Sequence, residues 1–291
     1  MEIVIRNLNK KYGKQEALKN ISLQIPVGLY GLLGENGAGK TTLMRILAAA
    51  LEPTAGTVKI DGIDIKQKKQ IRKMTGYLPQ EFSVYPNMSV SSALDYLGIL
   101  SELPKEERKN RIDEVLRQVN LEQERKKRFK NLSGGMKRRF GIAQALLNHP
   151  KVLIIDEPTA GLDPEERLRL YNLLTELASE RVILLSTHIA GDIASVCERT
   201  AVFHEGRVIF EGDTKALLKI AENKVYTAIV QPSELEDLKR RYHVIRIHQS
   251  GNHISCRFFA DEYPKVPCIP SESDIEDSYM YLLWKYRREV E

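Results

Sequence analysis

Apolar and polar residues alternate over residues 2–6 (Ile3, Ile5) and again over 21–25 (Ile21, Leu23, Ile25), the period of half-buried strands. Pro26 and Gly28 then break the chain before the apolar run 29–33, which suits a strand buried on both faces. From Lys40 the period lengthens. Leu43, Ile46, Leu47, Ala50 and Leu51 recur at helical spacing, and Pro53 and Gly56 mark the exit. Residues 57–60, 61–62 and 63–65 read as strand, turn and strand. Charged but helically periodic sequence fills 89–119, and a second helix follows Ser133-Gly134-Gly135 across 132–147. A β-branched run at 151–155, an amphipathic helix at 167–179 and a buried strand at 181–186 come next, with a hairpin formed by 200–204 and 207–210. Strands alternating with helices imply a parallel sheet covered on both faces.

After Glu222 the texture changes. Strands are expected at 224–230, 242–248 and 253–259, with a helix at 233–241, and Pro264, Pro267 and Pro270 set off a last helix at 275–286. The expected organisation is a main α/β domain at 1–220, with a helical insert at about 82–147, and a small α+β subdomain at 221–291. No repeat or low-complexity tract argues for a solenoid.

Composition narrows the class. Lys and Arg number 44 against 39 Asp and Glu, a formal charge of +5, with 42% hydrophobic and 29% charged residues. That is the balance of a folded globular chain and excludes intrinsic disorder. The longest apolar runs fall far short of the ~20 residues of a spanning helix. Residues 1–12 meet charge before an apolar core builds, so no secretory leader is expected. Cys197, Cys256 and Cys268 are too scattered for a disulfide framework or zinc knuckle, which fits a reducing compartment. So small a basic excess is read as solvated surface, and no nucleic-acid partner is expected.

Two segments carry chemistry by their own residues. Gly34-Glu35-Asn36-Gly37-Ala38-Gly39-Lys40-Thr41 has the spacing GxxxxGK[ST] between a buried strand and a helix. Glycines let backbone N–H groups wrap phosphates, the helix start adds favourable potential, Lys40 reaches the terminal phosphates and Thr41 suits a Mg²⁺ ligand. Asp156 and Glu157 end the apolar run 152–155, where adjacent carboxylates are costly unless they serve a cation or a proton transfer. Asp156 suits the Mg²⁺ shell, and Glu157 suits polarising the water that attacks a γ-phosphate. Together they predict binding and hydrolysis of a nucleoside triphosphate.

Asn131-Leu132-Ser133-Gly134-Gly135-Met136, lying just before the carboxylate strand, closely resembles the LSGGQ signature of the ATP-binding cassette (ABC) ATPases. The resemblance runs from about Met1 to Gly212. It implies a P-loop NTPase cassette: a parallel sheet core with helices, an N-terminal antiparallel β part and a helical insert. It also implies ATP with Mg²⁺ as cofactors and assigns roles residue by residue. Tyr12 stacks on adenine, and Gly34, Asn36, Gly37, Gly39, Lys40, Thr41 and Thr42 form the phosphate loop. Gln80, in Tyr77-Leu78-Pro79-Gln80, senses the γ-phosphate and joins Thr41 and Asp156 around Mg²⁺. Ser133, Gly134 and Gly135 clamp the nucleotide of an opposite cassette, and Asp163 lies at that interface. His188 holds the γ-phosphate and the attacking water, completing a catalytic set with Glu157, Gln80 and Lys40. Met136 stands where the signature has Gln, so a polar contact from that position is lost.

The resemblance further implies a dimer with itself or a related cassette, and a separate polytopic membrane subunit at the inner face of the cell membrane. Residues 81–90 resemble the coupling region of bacterial exporter cassettes, and Ile275-Glu276-Asp277-Ser278-Tyr279-Met280 resembles their LEDVFL-type end. Export is therefore the expected direction. The alternatives are an importer ATPase or a soluble cassette acting on ribosomes or another macromolecule. A chromosome-maintenance ATPase would need a long coiled coil, and no sustained heptads interrupt the chain. The basic clusters 125–130 and 137–139 are expected to be solvated faces. His243, His248 and His253 recur at fives, a spacing that alternates faces on strands and disfavours a shared metal.

Overall fold

A long antiparallel hairpin opens the chain, β1 (Glu2–Tyr12) and β2 (Gln15–Pro26). Both strands outrun the short ones expected from alternation. Register shifts between Ile5 and Leu8 and again before Lys10 change the phase of the buried residues, so the period-2 signal stops while the strand continues. β3 (Gly28–Gly34) is buried from Leu29 onward and runs into α1 (Lys40–Leu47). β4 (Ala55–Ile60) and β5 (Ile63–Asp64) follow, then α2 (Lys68–Met74) and β6 (Thr75–Leu78). Alternation does not reveal α2, because Ile71 is its one buried residue.

The helical insert contains α3 (Val90–Leu100), capped by the Ser89 hydroxyl, and α4 (Lys105–Gln118) after Pro104. α5 (Gly134–Leu146) follows the signature serine, and β7 (Val152–Asp156) is wholly buried. α6 (Pro164–Leu177), β8 (Val182–Thr187), α7 (Ala190–Val196), β9 (Arg199–His204) and β10 (Arg207–Asp213) complete this part.

In this computed structural model, which describes residues 1–290, the chain divides into two units, Met1–Glu211 and Gly212–Glu291. The first holds two sheets. One is antiparallel, in the order β2-β1-β4-β5, and the other is six-stranded, in the order β10-β9-β3-β8-β7-β6. β9, β3, β8, β7 and β6 run parallel, which puts the ends of β3, β7 and β8 side by side. Ligand chemistry in such sheets collects at the carboxyl ends of the strands. This is the P-loop NTPase cassette architecture anticipated from the motifs.

The second unit begins near Gly212, earlier than the change of texture after Glu222. It contains α8 (Thr214–Leu218), β11 (Val225–Val230), α9 (Leu235–Arg241), β12 (His243–Ser250), β13 (His253–Phe259), β14 (Ile269–Pro270) and α10 (Ile275–Val290). The sheet order is β12-β13-β11-β14. Tyr226, Ala228 and Phe258 pack with Leu238 of α9, while Val225 and Phe259 pack with Tyr281 and Trp284 of α10. The period of two along β11 thus serves a helix on each face. His243 stacks on Phe259 and Trp284, with ring centroids 5.9 and 5.7 Å away, and is part of this packing.

Candidate functional site

The phosphate-type loop hangs from the end of β3, and its shape depends on glycine at two points. Gly39 has φ 107°, and a Cβ there would lie 2.7 Å from the Ala17 carbonyl. Gly37 has φ 84° and open space beside it, so the backbone is left bare toward the cleft. The β9–β10 turn supports the loop from behind: Gly206 N donates to Ala38 O at 3.1 Å, and Lys19 N donates to Gly206 O at 2.7 Å. Sequence reasoning recognised that turn as a hairpin and missed its service to the loop.

An open cleft of about 930 Å³ follows, lined by Tyr12, residues 36–42, Gln80 and Glu157, together with Lys14, Lys19, Glu205 and Gly206. Tyr12 ends β1 with its side chain 44% exposed and the Lys10 ammonium 5.2 Å from its ring centre. Lys40 is buried and folds back on its own loop, donating to Gly34 O at 2.5 Å and Glu35 O at 3.1 Å. Burial lowers its pKa below the usual lysine range, and the carboxylates of Glu157, Asp156 and Glu35 oppose that shift.

Asp156 and Glu157 share one partner on the neighbouring strand. Ser186 Oγ donates to Asp156 Oδ1 at 2.5 Å and accepts from Glu157 N at 3.0 Å, as the β7–β8 register pairs Asp156 with Ser186. Glu157 takes a left-handed backbone, φ 46°, which is costly for a residue with a side chain and typical of functional turns. Its carboxylate gathers the site: Gln80 Nε2 donates to Oε2 at 3.2 Å, His188 Nδ1 lies 3.3 Å from Oε1, and Lys40 Nζ lies 3.9 Å away. Asp156 is completely buried, yet its Oδ2 has no hydrogen-bond partner among the described residues. A buried, unsatisfied carboxylate oxygen on the residue before Glu157, which lines the cleft with Thr41, is the donor chemistry that a hydrated hard dication takes.

The signature residues sit elsewhere. Ser133 is exposed and caps α5, accepting from Met136 N at 3.2 Å, which leaves its own O–H proton to donate. Asp163 is exposed and caps α6, accepting from Glu166 N at 2.9 Å. Gly135 is buried against the Glu166 side chain, while Gly134 faces a second cleft with Gln80, Phe82, Lys137, Arg138 and Gly161. Ser133, Gly135 and Asp163 are absent from the described lining of the Lys40 cleft.

The basic cluster 137–139 is not the solvated face expected of it. Arg138 Nη1 donates to Gln80 O at 2.7 Å, tying α5 to the loop that carries Gln80. Arg139 donates to Asn120 O at 3.0 Å and pairs with Glu166 at 3.5 Å. Charge runs on helices read as solvated by default, and no local signal marks these two as packed.

Parallel strands that end on such a loop, beside two adjacent acidic side chains, define a P-loop nucleoside triphosphatase. A family profile described as ABC transporter matches residues 18–160. The bacitracin transport ATP-binding protein BcrA of Bacillus licheniformis is 39% identical, with 95% of each chain covered. The methionine import ATP-binding protein MetN 1 of Bacillus thuringiensis is 36% identical, covering 78% of this chain and 72% of its own. The dimeric structure of MJ0796, a bacterial ABC transporter cassette, superimposes with a TM-score of 0.66 at 28% identity, over 73% of this chain and 98% of that one. The chain belongs to the ATP-binding subunits of ABC transporters, and it is an ATPase.

Replacing Ser186 by Ala strips Asp156 Oδ1 of its donor and leaves Glu157 N on a carbonyl alone. A loss of about 1–3 kcal/mol is expected, read as the shift of a urea unfolding curve. A loss below about 0.5 kcal/mol, the range of neutral surface changes, would refute the shared-partner role.

Proposed function

We propose that the cassette works as a dimer, powers a separate membrane subunit, and does so for export. The observation that carries the dimer is the division of the site. Lys40 and Glu157 line one cleft, with the His188 ring held against the Glu157 carboxylate, whereas Ser133 is exposed outside that lining with its hydroxyl proton free to donate. A second cassette, turned head to tail, would bring its Ser133-Gly134-Gly135 segment to the γ-phosphate and its Asp163 to the seam. ATP then joins two subunits, and its hydrolysis releases them, since a ligand bound only by the closed form stabilises that form.

Within a half-site, Tyr12 stacks on adenine, the N–H groups of residues 37–42 cradle the phosphates, and Lys40 moves from its own carbonyls to the β- and γ-oxygens. Glu157 orients and polarises the attacking water, held by Gln80 on one carboxylate oxygen and His188 on the other. Thr41, Gln80 and Asp156 would hold Mg²⁺, which supplies charge neutralisation on the β- and γ-oxygens. The unpartnered Asp156 Oδ2 supports that assignment.

Export is favoured over import by how far each likeness extends. The bacitracin transport protein matches across 95% of this chain, so its likeness includes the second unit, while the methionine import protein covers 78%. Among the described residues no helix is long and apolar enough to cross a membrane, in keeping with work delivered to a separate subunit. The second unit is assigned an accessory role at the cytoplasmic face.

Three measurements test this reading. Glu157→Gln is expected to retain ATP binding and lose turnover by at least about 100-fold, given the 10²–10⁴ contribution of a positioned base; wild-type rates would remove Glu157 from the chemistry. In that background Ser133→Arg should abolish the ATP-dependent dimer in sedimentation velocity, and a persisting dimer would refute the opposed clamp. Affinity capture of the Glu157→Gln protein with ATP from detergent-solubilised membranes should recover a polytopic membrane protein. Recovery of ribosomes or soluble factors alone would move the chain out of transport, and recovery with a solute-binding protein would indicate import.

A further inference from the structure

Asp192 lies on α7, an element the hydrophobic pattern does not announce, and is 1% exposed. A carboxylate enclosed to that degree is costly unless its oxygens are met by donors. They are met, and the origin of the donors is what matters. Oδ2 accepts from Thr159 Oγ1 at 2.6 Å and from Thr187 Oγ1 at 3.0 Å. Oδ1 accepts from Tyr171 OH at 2.5 Å, with Arg167 Nη1 at 3.7 Å. Thr159 stands two residues beyond Glu157, and Thr187 directly precedes His188.

Each threonine hydroxyl has one proton to give, and both are given to the same oxygen. Thr187 Oγ1 in addition accepts from Ile189 N at 3.0 Å, which fixes the hydroxyl's direction toward Asp192. One oxygen atom therefore joins the loop that leaves β7 to the loop that leaves β8. The two loops carry the groups that meet at 3.3 Å, Glu157 Oε1 and His188 Nδ1. Tyr171 adds α6, the helix that Asp163 caps, to the same anchor.

We propose that Asp192 is a positioning residue for hydrolysis, a buried staple that sets the spacing of Glu157 and His188. The inference rests on those two residues being the hydrolytic pair. A core carboxylate that merely stabilises the fold would have no reason to lower turnover beyond its effect on stability, or to act through His188. A staple of this kind does both, because displacements of about 1 Å at reacting groups cost on the order of 10²-fold in rate.

The test uses Asp192→Asn in the full chain. An amide keeps the size but has one acceptor oxygen in place of two, so in either orientation its NH₂ meets a hydroxyl that had donated to the carboxylate, and at least one tie of the staple is lost. Single-turnover hydrolysis is expected to slow about 10- to 100-fold while ATP affinity stays within about twofold, since the phosphate loop is untouched. In a His188→Ala background the same change should cost less than about threefold, because coupled residues are non-additive. If Asp192→Asn does not fold, Thr159→Val and Thr187→Val each remove one donor and should show the same split between rate and affinity. Turnover within twofold of wild type would overturn the proposal, as would a rate loss undiminished in His188→Ala. Glu157→Gln run in parallel separates the two failures. If it loses turnover while Asp192→Asn keeps it, the staple alone is wrong; if Glu157→Gln itself keeps turnover, both readings fall.

Discussion

Two carboxylates ending a strand buried along its whole length set the terms for everything around them. A buried carboxyl needs hydrogen-bond partners, and Ser186 on the adjacent strand serves both positions: its hydroxyl donates to the Asp156 carboxyl, and its oxygen accepts from the Glu157 backbone N–H. That requirement fixes the β7–β8 register at Asp156 opposite Ser186. A slip of one residue would turn the alternating side chains over and set Asp156 opposite Leu185 or Thr187, away from the Ser186 hydroxyl. Because β8 also pairs with β3, Leu33 beside Thr187, the same register delivers the phosphate loop and the loop of His188 to one end of the sheet. Sheet pairing is therefore a step in the construction of the site as well as of the core.

Around this fixed centre lie parts that report on it. Gln80 touches Glu157 through its amide, and its carbonyl accepts from Arg138 on the helix that begins at Ser133. A short chain of polar contacts thus runs from the Glu157 carboxylate to the helix that follows Ser133. Burial lowers the Arg138 pKa, and the nearby charges of Asp156 and Glu157 oppose that shift, so the guanidinium lies within the electrostatic reach of the cleft. The helical insert is joined to the chemistry by a charged hydrogen bond as well as by apolar packing.

Much of the architecture could be read from residue order, because the motifs are local and the buried strands are uninterrupted. The loop at 34–41, the run ending in Asp156-Glu157 and the helix after Ser133 all stand where their patterns place them. What stayed hidden has physical reasons. β1 loses its alternation at bulges, α2 buries one residue, and α7 has a polar residue, Asp192, on its buried face. The partners of the site were hidden for a related reason. Ser186, Asp192, Arg138 and Gly206 act across the fold through hydrogen bonds, and side-chain identity along a sequence does not reveal which distant backbone or hydroxyl will face it.

Lys40 already has something to hold. Its ammonium donates to the carbonyls of Gly34 and Glu35, so the loop closes on itself and the cation is sheltered from water. A ligand can draw the lysine away only by presenting acceptors stronger than two neutral carbonyls, which means anionic oxygens placed deep enough to reach it. A nucleoside presents no such oxygens. If the loop takes a nucleotide as proposed, the length of the phosphate chain decides whether that exchange can occur.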